Sequence, residues 1–196
     1  MSDHQGVDRE RVFVVEKQVI RIEDVFGADD LILDLGGGGE GVIGQLRERQ
    51  VVAVDKRKDE LQECADGPIK VIADACALPF LDESFDAATA FFFLMYVPQG
   101  DRRAVLDEAF RVVRPAGVFH VWDATIPPRG DHRQDAFCVF VEARLPDRTV
   151  ATGYGVPWAD HELSAATVVE LGRDAGFRVS DVAGNSSAFH VVFNRP

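Results

Sequence analysis

A glycine-rich turn between a strand pattern and a helix pattern constrains the fold of this chain more than any other stretch. Residues 31–46 read LILDLGGGGEGVIGQL. The apolar run before the glycines is typical of a strand buried on both faces of a parallel sheet, and the apolar residues after them follow helical spacing. A strand, a glycine turn and a helix in this order leave backbone N–H groups free, and no Cβ blocks a ligand. The stretch predicts a turn that binds a nucleotide or nucleoside.

Strand and helix patterns alternate through much of the remaining chain. After the glycine turn, strands are predicted at residues 51–54, 69–73, 87–93 and 118–122, and the chain closes with a hairpin of residues 177–182 and 189–193. This order predicts an α/β fold: a doubly wound, mostly parallel, Rossmann-like seven-stranded sheet in a three-layer α/β/α arrangement. The antiparallel terminal hairpin is expected at the edge of the sheet.

Two segments fall outside this alternation at the start of the chain. Residues 1–11 are polar and predict a frayed tail. Val15, Val19, Ile22 and Phe26 then recur at steps of four, three and four. That spacing predicts an amphipathic helix over residues 15–26.

A proline- and glycine-rich segment at about residues 126–160 interrupts the pattern after the fifth strand. Residues 137–145 and 149–154 can pair as a hairpin. Loops this long are uncommon in compact domains unless they serve a function. We therefore expect one domain over residues 1–196 in which this hairpin insertion forms a substrate wall, with a contact between two copies in a homodimer as the alternative. Its aromatic residues are Phe137, Phe140, Tyr154 and Trp158.

Composition narrows the classes of partner. The net charge of −12 argues against a broad nucleic-acid interface, because phosphate contacts need clustered Lys and Arg, and so favours a small-molecule substrate. No apolar run approaches the ~20 residues that span a bilayer, so no membrane partner is expected. The polar N-terminus lacks the apolar core of a signal peptide, which predicts a cytoplasmic location. Cys64, Cys76 and Cys138 are too few and scattered for a disulfide framework or a zinc site, and no metal is expected.

Acidic residues end several of the predicted strands. Asp34, Asp55, Asp74 and Asp123 stand at the ends of the first, second, third and fifth strands. In open α/β sheets the ligand crevice lies outside these carboxyl ends. Asp55 follows Asp34 by 21 positions, close to the ~20-residue offset at which an acid binds ribose hydroxyls. Asp74, one strand further, is placed to accept a hydrogen bond from an adenine amine.

Two cofactors fit this pattern. Gly36, Gly38 and Gly41 satisfy the dinucleotide fingerprint G-x-G-x-x-G, which predicts a nicotinamide or flavin enzyme. Asp34, just before the turn, would repel a pyrophosphate but attract a positively charged amino-acid group. The terminal hairpin is also unusual for a dinucleotide domain. We expect a side chain at Gly38 to obstruct the ligand more than it harms the fold.

Four motifs resemble those of the class I S-adenosylmethionine-dependent methyltransferases. They read LDLGGGGEG, VVAVD, IADACALPFLDESFDAATA and LDEAFRVVRPAGVFHVWD, and they occur in the order of that family over residues 31–123. Glu40 departs from the family pattern Asp-x-Gly-x-Gly-x-Gly, and Gly41 takes the displaced glycine's role. The resemblance implies S-adenosyl-L-methionine as cofactor, S-adenosyl-L-homocysteine as product, and methyl transfer to a small molecule. The cofactor residues implied are Asp34, Gly36, Gly37, Gly38, Gly41, Asp55, Lys56, Asp74, Ala75, Phe91 and Phe92.

Catalysis is less defined than cofactor binding. A general base can assist an oxygen or nitrogen acceptor, and Asp123, Tyr96 and His161 are the candidates for this role. His120, in mid-strand, is expected to pack in the core. A nicotinamide-dependent oxidoreductase remains an alternative, although all lysines precede the fourth strand and no Tyr-x-x-x-Lys pair is present. A non-catalytic protein that binds S-adenosylmethionine or S-adenosylhomocysteine is a third possibility.

Overall fold

The structure, a computed structural model, describes residues 9–196 of the chain. Most of the predicted polar tail, including the segment that argued against a signal peptide, lies outside the described residues. Short 3-10 turns are formed by Arg9–Arg11, Glu48–Gln50 and Leu94–Tyr96. The described α-helices are α1 (Val42–Arg47), α2 (Lys58–Glu63), α3 (Arg102–Val112) and α4 (Ala165–Ala175). The described strands are β1 (Val12–Val14), β2 (Gln18–Arg21), β3 (Ile32–Leu35), β4 (Val51–Asp55), β5 (Ile69–Ile72), β6 (Phe85–Phe91), β7 (Val113–Ala124), β8 (Ala136–Arg144), β9 (Thr149–Pro157), β10 (Arg178–Gly184) and β11 (Ala188–Asn194).

The larger sheet has seven strands in the order β10-β11-β7-β6-β3-β4-β5. Strands β5, β4, β3, β6 and β7 are parallel, and β11 is antiparallel to both β7 and β10. The predicted doubly wound sheet with its terminal hairpin is confirmed, and the antiparallel strand lies one position in from the edge. The chain leaves β3 toward β4 and β5, then returns to β6 on the other side of β3. This reversal is the topological switch point, where an open α/β sheet binds its ligands.

Helices cover the two faces of this sheet. Helices α1 and α2 pack against β4 and β5, whereas α3 and α4 pack against each other and against β7, β10 and β11. Ser164 caps α4 by accepting the N–H of Thr167 at 3.2 Å, and Gly176 ends the helix with a φ of 112°. A side-chain oxygen at the N-cap and a left-handed glycine after the last turn satisfy the open backbone groups at the two ends of α4. None of the described helices is long and apolar enough to cross a bilayer.

A second, smaller sheet consists of β1, β2, β8 and β9. Strand β8 lies in its middle, parallel to β1 and β2 and antiparallel to β9. The predicted helix over residues 15–26 is wrong, since residues 18–21 form β2 and pair with Val141–Arg144. Burial alternates along this stretch, with Gln18 and Ile22 buried and Val19 exposed. Pairing with β8 stabilises residues 18–21 as a strand, although the spacing of the apolar residues around them does not indicate one.

The predicted hairpin of the insertion is present as β8 and β9, and its inner face is part of the main core. Phe137, Val139, Val141 and Trp158 belong to the same buried cluster as the strands of the larger sheet. The Trp158 indole donates to the carbonyl of Pro127 at 2.8 Å. Core contacts on one face of the hairpin therefore hold it against the carboxyl end of the larger sheet.

Candidate active site

A cavity of about 650 Å³ opens at the carboxyl ends of the parallel strands. The glycine turn after β3, the ends of β4 and β5, and the residues after β6 form most of its wall. All the residues predicted to bind the cofactor line this one cavity: Asp34, Gly36, Gly37, Gly38, Gly41, Asp55, Lys56, Asp74, Ala75, Phe91 and Phe92. The topology of the sheet brings together positions that are up to 58 residues apart in the chain.

The glycine turn is packed closely against the protein itself. A Cβ on Gly36 would lie 2.3 Å from the Phe93 ring, one on Gly38 would lie 2.6 Å from the Cβ of Glu60, and one on Gly41 would lie 2.4 Å from the Cys64 sulfur. Gly36 and Gly41 also have φ angles of 71° and 54°, which side chains rarely adopt. A side chain at Gly38 would therefore also meet α2, and the prediction that it would disturb the ligand more than the fold stays a prediction.

Asp34 is a buried carboxyl group beneath this turn. It is 3% exposed, and its Oδ1 accepts a hydrogen bond from the Thr89 hydroxyl at 2.7 Å. Burial raises the pKa of Asp34 to about 7, the Thr89 hydrogen bond opposes this rise, and the nearby Asp55 charge adds to it. Because burial penalises the charged form, a cation bound in the cavity would stabilise the carboxylate.

Asp55 and Asp74 occupy similar local structures at the ends of neighbouring strands. The Asp55 Oδ1 accepts the N–H of Arg57 at 2.8 Å, and the Asp74 Oδ1 accepts the N–H of Cys76 at 2.9 Å. Each side chain thus folds back on its own turn, as Asp does in Asx turns. The other Asp55 oxygen faces Gly38. The two carboxylates line the cavity one strand apart, an arrangement that suits hydroxyl and amine donors of a nucleoside.

Carboxylates outnumber basic groups in the cavity wall. Lys56 and Arg57 are the basic side chains among the described lining residues. Such a wall attracts a cation and disfavours a pyrophosphate, which argues against a dinucleotide. Four of the acids lie outside the sequence-based prediction: Glu40 falls in a glycine position, Glu60 and Glu63 in a surface helix, and Asp101 in a loop. The acidic lining residues are Asp34, Glu40, Asp55, Glu60, Glu63, Asp74 and Asp101.

Aromatic residues close the cavity beyond β6. Phe92 has a φ of 50°, an uncommon conformation for a bulky residue. The Tyr154 ring, from β9, stacks on the Phe92 ring with centroids 4.8 Å apart and an interplanar angle of 6°. The Tyr96 hydroxyl accepts the N–H of Gly155 at 3.2 Å. We call this surface the acceptor wall, which consists of Phe91, Phe92, Tyr96, Gly153 and Tyr154.

The three candidate bases are not brought together. Tyr96 lines the cavity, but Asp123 and His161 are not among the residues that line it. Asp123 is completely buried and accepts the N–H groups of Met95 at 3.2 Å and Ala124 at 2.8 Å. The His161 Nδ1 lies 2.8 Å from the carbonyl of Met95. Both therefore fix the turn that carries Tyr96. His120 packs in the core as predicted, 7% exposed and stacked on Trp122.

The fold and this cavity define a Rossmann-like α/β protein whose cavity suits a nucleoside with a cationic group. A family model described as a methyltransferase domain matches residues 33–121. Over 120 residues, the chain is 36% identical to a demethylmenaquinone methyltransferase of Thermus thermophilus, covering 59% of this chain and 52% of the relative. Over 133 residues, it is 30% identical to "Sterol methyltransferase-like 1" of Botryococcus braunii, covering 64% of this chain and 30% of the relative.

A solved structure agrees with these sequence matches. A methyltransferase of Methanosarcina mazei, described as S-adenosylmethionine-dependent, superposes with a TM-score of 0.63 at 20% identity, covering 87% of this chain and 94% of the other. Residues 33–121 therefore resemble a methyltransferase domain, and the chain shares the fold of methyltransferases that use S-adenosylmethionine as their cofactor. The matches to the two curated relatives span about half of their length or less. The acidic cavity behind the glycine turn fits this cofactor, whose sulfonium and ammonium groups are positive.

Proposed function

We propose that this protein is an S-adenosylmethionine-dependent methyltransferase that methylates a small-molecule acceptor. One observation carries the proposal: a single cavity at the switch point joins all the predicted cofactor residues to an aromatic acceptor wall. The cavity lies within the range of about 300–1,000 Å³ that is typical of small-molecule sites. The names of the two relatives, a demethylmenaquinone and a sterol methyltransferase, support an acceptor of this kind.

The proposed cofactor contacts follow the order of the strands. Asp34 and the turn of Gly36, Gly37, Gly38 and Gly41 hold the amino-acid portion, because a buried carboxyl suits an ammonium group. The expectation of free backbone N–H groups does not hold for Gly36, Gly37 and Gly41, whose N–H groups donate to backbone carbonyls of the protein. Asp55 accepts from the ribose hydroxyls, with Lys56 beside it. Asp74 accepts from the adenine amine next to Ala75. Phe91 and Phe92 border the methyl end.

The chemistry divides between cofactor and chain. When bound, the cofactor supplies a methyl group on a positively charged sulfur. The chain positions the acceptor in line with that methyl group and excludes water with the rings of Phe92 and Tyr154, so orientation supplies most of the rate. Burial raises the pKa of Tyr96 and of Tyr154, so both hydroxyls stay protonated at neutral pH and serve as hydrogen-bond donors rather than bases. This favours an acceptor that is nucleophilic without strong general-base assistance.

Other features of the proposal rest on the sequence. We propose that the two sheets form one domain, because they share a single buried cluster. A cytoplasmic location, the absence of nucleic-acid and membrane partners, and a homodimer as the alternative role of the hairpin stay predictions. The lack of a base among the described residues of the acceptor wall favours one second candidate, a protein that binds the cofactor without catalysis.

The Asp55→Ala variant tests the cofactor site. Removing the carboxylate leaves ribose hydroxyls without an acceptor, so we expect calorimetry to show S-adenosylmethionine binding weakened by about 1–3 kcal/mol. Asp66→Ala, an exposed acid on the loop after α2, is the matched control and should bind as the wild type does. Measuring S-adenosylhomocysteine after incubation with S-adenosylmethionine and an acceptor distinguishes the two candidates, because only an enzyme forms this product. Equal affinity in a folded Asp55→Ala protein would place the ribose elsewhere.

A further inference from the structure

The acceptor wall presents a stack of rings. Phe92 and Tyr154 are parallel at 4.8 Å, and Phe91 meets Tyr154 at 73° with centroids 6.3 Å apart. The φ of 50° at Phe92 is costly for an aromatic residue, and such conformations concentrate at functional sites. Tyr154 lies in β9, outside the matched methyltransferase residues 33–121. A flat ligand ring that continues this stack would gain aromatic contact that a saturated ring cannot make to the same extent.

Hydrogen-bond donors border the same stack. The Tyr96 hydroxyl accepts from Gly155, so its own proton is available to a ligand. This contact also shows that the N–H of Gly155 points away from β8, toward the free edge of β9. Along a strand, successive backbone N–H groups point alternately to its two sides. The N–H of Gly153, two residues before Gly155, therefore points toward the same edge. Gly153 and Tyr96 both line the cavity, and each can donate to a ligand oxygen.

Charge restricts the ligand further. A cationic acceptor would be repelled by the positive sulfur of the cofactor. An anionic acceptor would meet the carboxylates of the cavity wall, including Glu40, whose charge acts on Tyr154. Arg57, one of the two basic lining residues, is paired with Asp59 and Glu60 beside α2. An uncharged acceptor avoids both penalties.

We propose that Tyr154 determines acceptor specificity, and that the acceptor is an uncharged flat ring bearing hydroxyl or carbonyl oxygens. The ring stacks against the Phe92–Tyr154 pair, and its oxygens accept from Tyr96 and from the N–H of Gly153. This inference rests on the proposed function, since the ring must lie next to the cofactor's methyl group. In this proposal the inserted hairpin selects the acceptor, and the matched methyltransferase residues bind the cofactor.

The test measures binding of model rings to the complex with S-adenosylhomocysteine, which cannot transfer a methyl group. Naphthol is the neutral flat probe, decalol its saturated counterpart, and naphthoate its anionic counterpart. By calorimetry, naphthol should bind about five- to tenfold more tightly than each counterpart. Tyr154→Ala should weaken naphthol by about five- to tenfold and leave S-adenosylhomocysteine affinity within about twofold. Tyr154→Phe should retain both affinities.

The outcomes separate the two proposals. Thr149→Ala, an exposed position on the same strand, is the matched control and should change neither affinity. Failure of the wild type to bind S-adenosylhomocysteine would overturn the proposed function. If S-adenosylhomocysteine binds, three results would overturn this inference alone: no binding of naphthol, no preference for naphthol over its counterparts, or an unchanged naphthol affinity in Tyr154→Ala. If Tyr154→Ala lowered the affinities for naphthol and for S-adenosylhomocysteine equally, Tyr154 would belong to the cofactor site, and this result would also overturn the inference.

Discussion

Asp34 is the residue at which the demands of folding and binding differ most. It stands at the end of a completely buried strand, where an apolar residue would pack without a desolvation cost. The Thr89 hydroxyl is its hydrogen-bond partner, and the Asp55 charge nearby favours its neutral form. A cationic cofactor would reverse that preference. The buried acid is thus better suited to the complex than to the free protein.

The pH dependence of cofactor binding should report this residue. With a pKa of about 7 in the free protein, Asp34 is protonated in acid and must lose its proton to pair with a cation. Binding therefore releases a proton, so affinity should rise with pH, by up to about tenfold per unit well below pH 7, and level off above it. Calorimetry from acid to neutral pH checks this rise. Asp34→Asn should bind weakly with little pH dependence, and a wild-type affinity that falls as pH rises would contradict the assignment.

At the scale of elements, the glycine turn lines the cavity and is also closely packed against neighbouring elements. It fits between the Phe93 ring on one side and α2 on the other, as the close approaches at Gly36 and Gly38 show. The N–H of Gly39 donates to the carbonyl of Glu60 at 2.9 Å, so the backbone of the turn is bonded directly to α2. Substitutions here should affect both cofactor binding and stability.

The Gly38→Val variant tests this double role. Its Cβ would lie 2.6 Å from the Cβ of Glu60 and 2.9 Å from an Asp55 oxygen, so both α2 and the Asp55 side chain must shift. Overpacking of this kind typically costs about 1–3 kcal/mol. We expect a lower melting temperature together with loss of S-adenosylmethionine binding. Gly100→Ala is the control, because a Cβ there meets nothing within 4 Å. Lost binding with an unchanged melting temperature would show that the turn contacts only the ligand.

At the scale of the whole molecule, the insertion is part of the core as well as part of the site. The inner face of β8 and Trp158 are buried with residues of the larger sheet, while Tyr154 reaches the cavity. Strand β8 also supplies the edges on which β1 and β2 pair. The hairpin therefore connects the N-terminal strands to the acceptor wall.

Replacing residues 128–157 by a short Gly/Ser link should destabilise the entire protein. The change removes the partner of β1 and β2 and several fully buried side chains, each worth about 1.5–3 kcal/mol of burial. Thermal unfolding should show a large decrease in melting temperature or no cooperative transition. Phe140→Ala, on the exposed face of β8, serves as the comparison and should melt close to the wild type. A shortened protein as stable as the full chain would mean that the hairpin is peripheral.

The local sequence determined the features that depend on neighbours along the chain. The run of Leu31, Ile32 and Leu33 before four glycines determined the first buried strand and its turn, and Ser164 and Gly176 determined the ends of α4. The predicted residues that line the cavity could be found from the sequence because each lies at or just after the end of a strand of the same sheet, and the carboxyl ends of parallel strands meet at one edge.

Only the tertiary structure decided what depends on partners distant in sequence. Residues 18–21 form a strand because β8 offers them a hydrogen-bonding edge more than a hundred residues away. Asp123 ends its strand as the other acids do, yet the N–H groups of Met95 and Ala124 hold it in the interior instead of in the cavity. Tyr154 joins the site because packing of the hairpin places its ring on Phe92. Long-range pairing and packing set these positions, and no local pattern encodes them.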